Sequence, residues 1–364
     1  MKESLLNLEE SVLREAVRSA GEPEYRAAQI LDWVYQKKVA DFAEMTNLPV
    51  ALREFLGTHY EIDPLKLADY QTSVDGTVKF LFDLSDHKKI ESVLIPMDSN
   101  LTLCISTQVG CPLDCKFCLT GVMGYTRNLT VGEIVGQVLF VQRWLQPSHR
   151  ISNVVFMGMG EPLANYQNTV KAIRVLLSEK GLHLSNRKIT VSTAGIVPGI
   201  QKLGREDFIV NLAVSLHAPY EDLRTQLMPI NKKYPLEMVL NACREYPLPK
   251  RRRITFEYVL LKGVNDRPIH AKELAKILQG FRCKINLLPF NEAEALPYER
   301  PSEADVLQFQ KILIHHGYSA FIRTSRGRDI LAACGQLAAC SSFKVRPMSS
   351  ATASIGFLPS KSMA

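Results

Sequence analysis

The chain has 364 residues, 46% hydrophobic and 22% charged, enough for one large domain plus a smaller one and ordinary for a soluble globular protein. No apolar run approaches a membrane span and the opening MKESLLNLEE has no signal-peptide core, so an integral membrane protein is excluded and the cytoplasm is expected. Eight cysteines then argue for metal or redox chemistry over a disulfide framework, and 44 basic against 37 acidic residues, net +7, fit either a polyanionic partner or a solvated surface.

Residues 1–70 read as short helices; in YRAAQILDWVYQKK, Leu31, Val34, Tyr35 and Lys38 recur at helical spacing. Residues 71–100 change character, with VKFLFDL and IESVLIP as two strands of a hairpin around Ser85–Lys89. From Leu101 strands and helices alternate. LTLCIST is a strand, and the cysteine-rich run GCPLDCKFC follows it. Thr130 opens a helix, with Glu133 completing a capping box and Ile134, Val138, Val141 and Leu145 forming the apolar stripe. NVVFMG, KITVST, FIVNLAVSLH, RRITFEYVLL and CKINLLPF continue the strands, each followed by a helical segment, and YSAFIRT is a late strand. This alternation predicts an α/β fold of parallel strands and crossover helices over 101–340. Polar, glycine-rich runs just after strand ends mark the face where a β/α barrel keeps its chemistry. The tail 341–364, rich in Ser and small residues, is expected to be disordered.

Cys111, Cys115 and Cys118 have C-x3-C-x2-C spacing. Three thiolates can bind three irons of a four-iron cluster and leave the fourth open to substrate, whereas a fully ligated cluster mainly moves electrons. The rival reading is a zinc knuckle in a non-catalytic RNA-binding protein, although no Cys or His follows at zinc-ribbon spacing. Gly160 and Glu161 in GMGEP are either a close backbone approach to a ligand or a tight turn with a surface carboxylate. Read locally, His217 is a structural histidine, Cys334 a buried free thiol and Glu91 an exposed strand carboxylate. Cys243 and Cys283 read as core residues and Cys340 as incidental.

The ordered runs EMTNLP, ESVLIP, TLCISTQVGCPLDCKFC, FMGMGEPL, VSTAG, AVSLHA, LLPFN and RTSRGRDILAACGQL, between Tyr25 and Leu337, resemble the RlmN/Cfr family of radical S-adenosylmethionine (SAM) RNA methyltransferases. Pro162 brings the resemblance nearer the RlmN branch. The resemblance implies a partial (β/α)6 barrel with an N-terminal helical accessory domain. It also implies methylation of adenine carbon 2 in 23S rRNA, near the peptidyl transferase centre, and in tRNA, beside the anticodon. That carbon lies between two ring nitrogens and is too electron-poor for polar methylation, so a radical route is needed. Cfr-like methylation of carbon 8 would use the same cysteines.

By the same resemblance Cys111, Cys115 and Cys118 would hold a [4Fe-4S] cluster, Gly160 and Glu161 the methionine amino group of SAM, and Asn291 its adenosine. Ser192, Ser215, Leu216 and His217 would line the SAM pocket, and Phe117 would pack near the SAM adenine or merely shape the loop. Cys334 would carry the methyl group into a covalent RNA adduct, Cys104 would resolve that adduct by disulfide formation, and Glu91 would accept the proton from carbon 2. Expected partners are 23S rRNA, tRNA and an electron donor such as flavodoxin or ferredoxin, with no membrane and a monomeric chain. Candidate phosphate contacts are Lys250–Arg253, then Arg323, Arg326 and Arg328, and Arg26, Lys37 and Lys38 in the N-terminal region. The target base would have to leave its stack.

Overall fold

The computed structural model describes residues 2–97 and 100–339, so Cys340 and the tail expected to be disordered lie outside the described residues. The N-terminal region packs three helices, α1 (Glu10–Ser19), α2 (Tyr25–Leu31) and α3 (Val50–His59), closed by a short parallel pair, β1 (Glu3–Ser4) and β2 (Tyr60–Glu61). Helix α2 runs into a π-helical turn over Asp32–Lys37 and stops at Lys38, which is left-handed with φ 60°. Leu31, Val34 and Tyr35 are buried as their spacing predicts, while Lys38 is only half-buried.

The helical region ends at His59, short of the expected residue 70, because Leu65–Thr72 forms a strand, β3. Only Leu65 of its eight residues is buried, as suits an edge strand, so LKLADYQT carries no alternation to read. The expected hairpin follows as β4 (Val78–Leu84) and β5 (Lys89–Met97). In β4, Val78, Phe80, Phe82 and Leu84 point inward, and the Phe80 and Phe82 rings meet Phe140 edge-on at 6.4 and 5.1 Å.

The barrel begins at β6 (Asn100–Cys104). A short antiparallel pair, β7 (Gln108–Gly110) and β8 (Tyr125–Asn128), flanks the cysteine loop and α4 (Leu119–Val122). Helix α5 (Val131–Trp144) carries the predicted capping box: Thr130 Oγ1 accepts from the Glu133 N–H at 3.2 Å, and the Glu133 carboxylate accepts from the Thr130 N–H at 2.9 Å. Then come β9 (Ile151–Phe156), α6 (Tyr166–Leu177), β10 (Ile189–Thr193), α7 (Val197–Leu203) and β11 (Asn211–Ser215). Helices α8 (Glu221–Leu227) and α9 (Leu236–Glu245), β12 (Ile254–Leu260), α10 (Pro268–Ile277), β13 (Cys283–Pro289), α11 (Glu303–His315) and β14 (Ser319–Ile322) complete the series.

Ten strands form one sheet in the order β14-β13-β12-β11-β10-β9-β6-β5-β4-β3. From β6 through β14 neighbours are parallel; β3 to β6 are antiparallel. Six β/α units start at β6, β9, β10, β11, β12 and β13, and β14 adds a seventh parallel strand. The central strands read as apolar runs because both faces are covered; all seven residues of β12 are buried. Cys243 and Cys283 are core residues, as expected. No helix among the described residues is long and apolar enough to cross a membrane.

The sheet stays open, with β14 and β3 at its edges. Residues 323–339 run from β14 back to the antiparallel extension. The Gly327 N–H donates to Asp75 at 2.9 Å, Ser73 Oγ donates to Asp329 at 2.5 Å, and the Ala338 N–H donates to Glu91 at 2.9 Å. This strap carries Cys334 over the C-terminal ends of the parallel strands.

Candidate active site

One cavity opens at those strand ends. Its first wall is the cysteine loop, which presents Cys111, Cys115 and Cys118 to the interior. The loop is fixed from both sides: the Cys111 N–H donates to the Gly124 carbonyl at 2.8 Å, and the Lys116 N–H donates to the Leu227 carbonyl at 3.0 Å. Burial pushes the Cys111 thiol up to about 12 and the Cys115 thiol well above its ordinary value, with the neighbouring cysteines adding to both. Three cysteine sulfurs thus face one space, a soft donor set for a metal cation. Among the described residues no group of three or more His, Cys, Asp or Glu side chains closes on a single ion. A four-iron cube, in which each thiolate binds a different iron, holds its ligands farther apart than one ion does.

The second wall follows β9. Gly160 has φ +96°, and a Cβ there would lie 2.5 Å from the Gln108 Cβ, so only glycine lets this turn seat against the segment leading into the cysteine loop. Glu161 is 3% exposed, which removes the surface-carboxylate reading. Its Oε1 accepts from the Leu163 N–H at 3.1 Å and its Oε2 from the Ala194 N–H at 2.8 Å. Burial nevertheless outweighs these bonds and pushes the carboxyl up to about 7.

Ser192, Ser215 and His217, at the ends of β10 and β11, also line the cavity. His217 Nδ1 accepts from the Val259 N–H at 2.9 Å, which leaves the ring proton on Nε2 as a donor. Burial, helped by the Arg224 cation, pulls this imidazole down to about 3, so it is neutral. Phe117 meets its ring edge-on at 4.7 Å and lines the same space. Leu216 is fully buried in the core and outside the cavity lining; its N–H donates to the Glu257 carbonyl at 3.0 Å and its carbonyl accepts from Arg224 Nε at 3.2 Å.

The strap closes the cavity. Asn291 Nδ2 donates to the Cys334 carbonyl at 3.3 Å, and Asn291 Oδ1 is buried with no partner. An orphaned acceptor in a cavity is a place for a ligand's donor. Gly335 turns the strap with φ +81°, and its carbonyl accepts from the Leu119 N–H at 2.8 Å. This bond anchors the strap to the helix behind Cys118. Cys334 is exposed, but its exposed surface is cavity wall, and the surrounding protein still pushes its thiol up to about 11.

Cys104 and Glu91 stand outside the cavity lining. Cys104 is buried at the end of β6; burial drives its thiol well up and a Cys334 thiolate drives it further, so the two sulfurs share one electrostatic neighbourhood. Glu91 is 4% exposed rather than a surface carboxylate, ion-paired with Lys79 at 3.1 Å and bonded to the strap. Together the donor set fits the expected groups: three thiols for a cluster and, across the space, the unpartnered acceptor of Asn291 and the Nε2–H of His217 for SAM.

The basic candidates divide by position. Lys250–Arg253 precede β12 and so lie at the N-terminal strand ends, opposite the cavity. There Arg252 donates to the Ile209 carbonyl and to Asn186, both at 2.7 Å, a structural duty in place of the expected phosphate contact. Arg323, Arg326 and Arg328 lie on the strap beside Cys334, with the first two exposed. Of the N-terminal cations, Lys37 sits 3.4 Å over the Trp33 ring, and Arg26 bonds Gln29 and Asn47.

Two residues escape sequence reading. Glu257, in the middle of β12, lines the cavity; a lone carboxylate in an apolar strand was the available signal. Arg224 is 0% exposed and donates to the carbonyls of Ala194, Ser215 and Leu216 and to Asn231, tying together two strand-end turns. Its helix, EDLRTQL, gives no hint of that.

Comparison with known proteins agrees with this geometry. The Radical SAM superfamily model matches residues 105–275, and the Ribosomal RNA large subunit methyltransferase N-terminal domain model matches residues 3–62. A dual-specificity RNA methyltransferase RlmN from Syntrophus aciditrophicus is 53% identical over 332 residues, covering 91% of this chain and 94% of its own length. Its counterpart from Geobacter sulfurreducens is 51% identical over 317 residues, 87% of each chain. The crystal structure of a radical SAM methyltransferase from Sphaerobacter thermophilus superposes with a TM-score of 0.90 at 46% identity, covering 93% of this chain and 99% of that one.

Proposed function

Since the chain belongs to the RlmN family of radical SAM RNA methyltransferases, we propose that it methylates carbon 2 of an adenine in both 23S rRNA and tRNA, carrying the methyl group on Cys334. The observation that carries this reading is the meeting of Cys334 with the three-cysteine loop in one cavity, with Cys104 close enough to feel the Cys334 charge.

Cys111, Cys115 and Cys118 would hold the [4Fe-4S] cluster, which when bound supplies the electron that splits SAM. Gly160 and Glu161 orient the methionine amino group: the glycine lets the backbone approach, and the carboxylate supplies an acceptor of opposite charge. His217 offers its Nε2–H, Asn291 offers Oδ1, and Ser192 and Ser215 offer hydroxyls to the ribose and carboxylate. Cys334, a soft nucleophile once deprotonated, takes a methyl group from SAM and presents it to the extruded base. Glu91 accepts the proton lost from carbon 2, which requires the strap to release the carboxylate. Cys104 then attacks the Cys334 sulfur, forming a disulfide while the electrons of the sulfur–carbon bond pass to the base, which takes up a proton and leaves as the methylated adenine; the two electrons this oxidation gives up are those that would convert a second SAM to methionine and 5′-deoxyadenosine.

Arg323, Arg326 and Arg328 suit phosphate contacts beside the thiol. We place the enzyme in the cytoplasm, where unligated thiols stay reduced, as a monomer served by a flavodoxin or ferredoxin. The test is mass spectrometry of nucleosides from rRNA and tRNA treated with anaerobically reconstituted enzyme. Methyl on adenine carbon 2 is expected; methyl on carbon 8 would assign Cfr-type chemistry, and purified protein holding zinc without iron would overturn the radical reading.

A further inference from the structure

Methyl transfer to Cys334 leaves one proton to be placed. A cysteine at its ordinary pKa is mostly S–H near neutral pH, and an S–H group is a poor acceptor of a methyl cation. A base inside the cavity is therefore needed, and two carboxylates line it, Glu161 and Glu257. Both oxygens of Glu161 are engaged by backbone N–H groups. Glu257 differs: Oε1 accepts from Asn286 Nδ2 at 2.9 Å, and among the described residues no donor takes Oε2.

The setting of Glu257 suits proton transfer. It stands on β12 between Ser215 of β11 and Asn286 of β13, its partners in register. Burial raises its proton affinity; the Asn286 bond and the charges of Arg323 and Lys284 pull it back toward ionisation. Its charge and that of Arg323 both act on Cys334, as does Cys118. A carboxylate poised between these influences is better matched to a thiol than an exposed one would be.

We propose that Glu257 is the base that takes the Cys334 thiol proton as Cys334 becomes methylated, an assignment that rests on the methyl-carrier reading above. The S–H proton passes to Oε2, the sulfur lone pair forms the bond to the SAM methyl carbon, and the methyl–sulfonium bond breaks with its electrons going to the departing S-adenosylhomocysteine. The carboxylate ends neutral, the sulfonium charge is consumed, and no oxidant or reductant is required.

The test uses full-length chain expressed without cluster assembly, so that Cys334 starts as a thiol, then reconstituted anaerobically and given methyl-labelled SAM without RNA. Peptide mass spectrometry reads S-methylation at Cys334 in the unaltered enzyme, Glu257→Gln and Glu257→Asp. The Gln variant should methylate about 100-fold more slowly, or worse, and the Asp variant should keep part of the rate. Iodoacetamide labelling of Cys334 at fixed pH is the second readout. It should hold steady or rise in Glu257→Gln, because removing a neighbouring negative charge favours the thiolate. Methylation of Glu257→Gln at the unaltered rate overturns the assignment, as does a parallel fall in both readouts, which would mean Glu257 only shapes the cavity. No label on Cys334 of the unaltered enzyme would overturn the methyl-carrier reading itself and this assignment with it.

Discussion

The Glu91 carboxylate accepts hydrogen bonds from the backbone N–H groups of Ala338, at 2.9 Å, and Ala339, at 3.1 Å, just beyond Cys334 on the strap. A strand of the antiparallel extension thus grips the segment that carries the reactive thiol. Lys79, across the β4–β5 ladder, completes the grip at 3.1 Å. Glu91→Ala leaves Lys79 without its counter-charge and two backbone donors without an acceptor. Breaking a buried pair in this way should cost about 3 kcal/mol or more, measured by denaturant unfolding. Glu91→Gln keeps an acceptor oxygen and should cost less. If Glu91→Gln retains the fold and SAM binding yet loses RNA methylation, the carboxylate also has a chemical duty; full activity would leave it a latch only.

Asn291 makes a different prediction, because its Oδ1 is buried and unpaired. Such an atom destabilises the ligand-free protein and is repaid only when a donor arrives. Asn291→Ala removes that burden together with the 3.3 Å bond to Cys334, so ligand-free stability should change by no more than about 1 kcal/mol. SAM affinity should fall about 10- to 100-fold, that is about 1.4–2.8 kcal/mol. Calorimetric titration of reconstituted protein checks the affinity, and thermal melts without SAM check the stability. Unchanged SAM affinity would remove Asn291 from the pocket.

Gly160→Ala tests the turn behind Glu161. Alanine at φ +96°, with its Cβ 2.5 Å from the Gln108 Cβ, must displace the segment that leads into the cysteine loop. Strain of this kind costs about 1–3 kcal/mol, and here it moves two walls of the cavity relative to each other. Both the melting temperature and SAM affinity should drop. A variant that keeps its melting temperature and binds SAM normally would show that the turn absorbs a methyl group without consequence.

Much of this was legible in the chain because the informative features are local. The Thr130–Glu133 capping box and the apolar strands of the parallel core each lie within a few residues, and local rules read them correctly; the C-x3-C-x2-C run stands out for the same reason, and its three cysteines line the cavity. What was not legible depends on which strand lies beside which. Glu257 looks like an ordinary strand residue until Asn286 and Cys334 are placed around it. Arg224 reads as a surface arginine until three carbonyls converge on it. The run at Lys250–Arg253 looked like a phosphate contact, but a segment entering β12 must lie at the end of the sheet away from the cavity. Strand β3 was hidden because an edge strand with one buried residue has no pattern to betray it.

The two reactive cysteines give the sharpest prediction, since they are to act in sequence. Cys334 lines the cavity, whereas Cys104 is buried behind it, its thiol driven up by burial and further by Cys334. An adduct joined through the Cys334 sulfur can be released only when a second thiolate attacks that sulfur. Cys104→Ala should therefore leave methyl transfer to Cys334 intact and accumulate a covalent protein–RNA species. A nuclease-sensitive upshift on denaturing gels, resistant to reductant, detects it. Cys334→Ala should form no adduct and no methylated base, while still binding iron, sulfide and SAM. Because desolvation holds the Cys104 thiol well above its ordinary value, resolution should be slow near neutral pH and quicken as pH rises, the deprotonated fraction growing throughout. Normal product release by Cys104→Ala would show that some other group frees the base and that the neighbourhood of these two sulfurs is incidental.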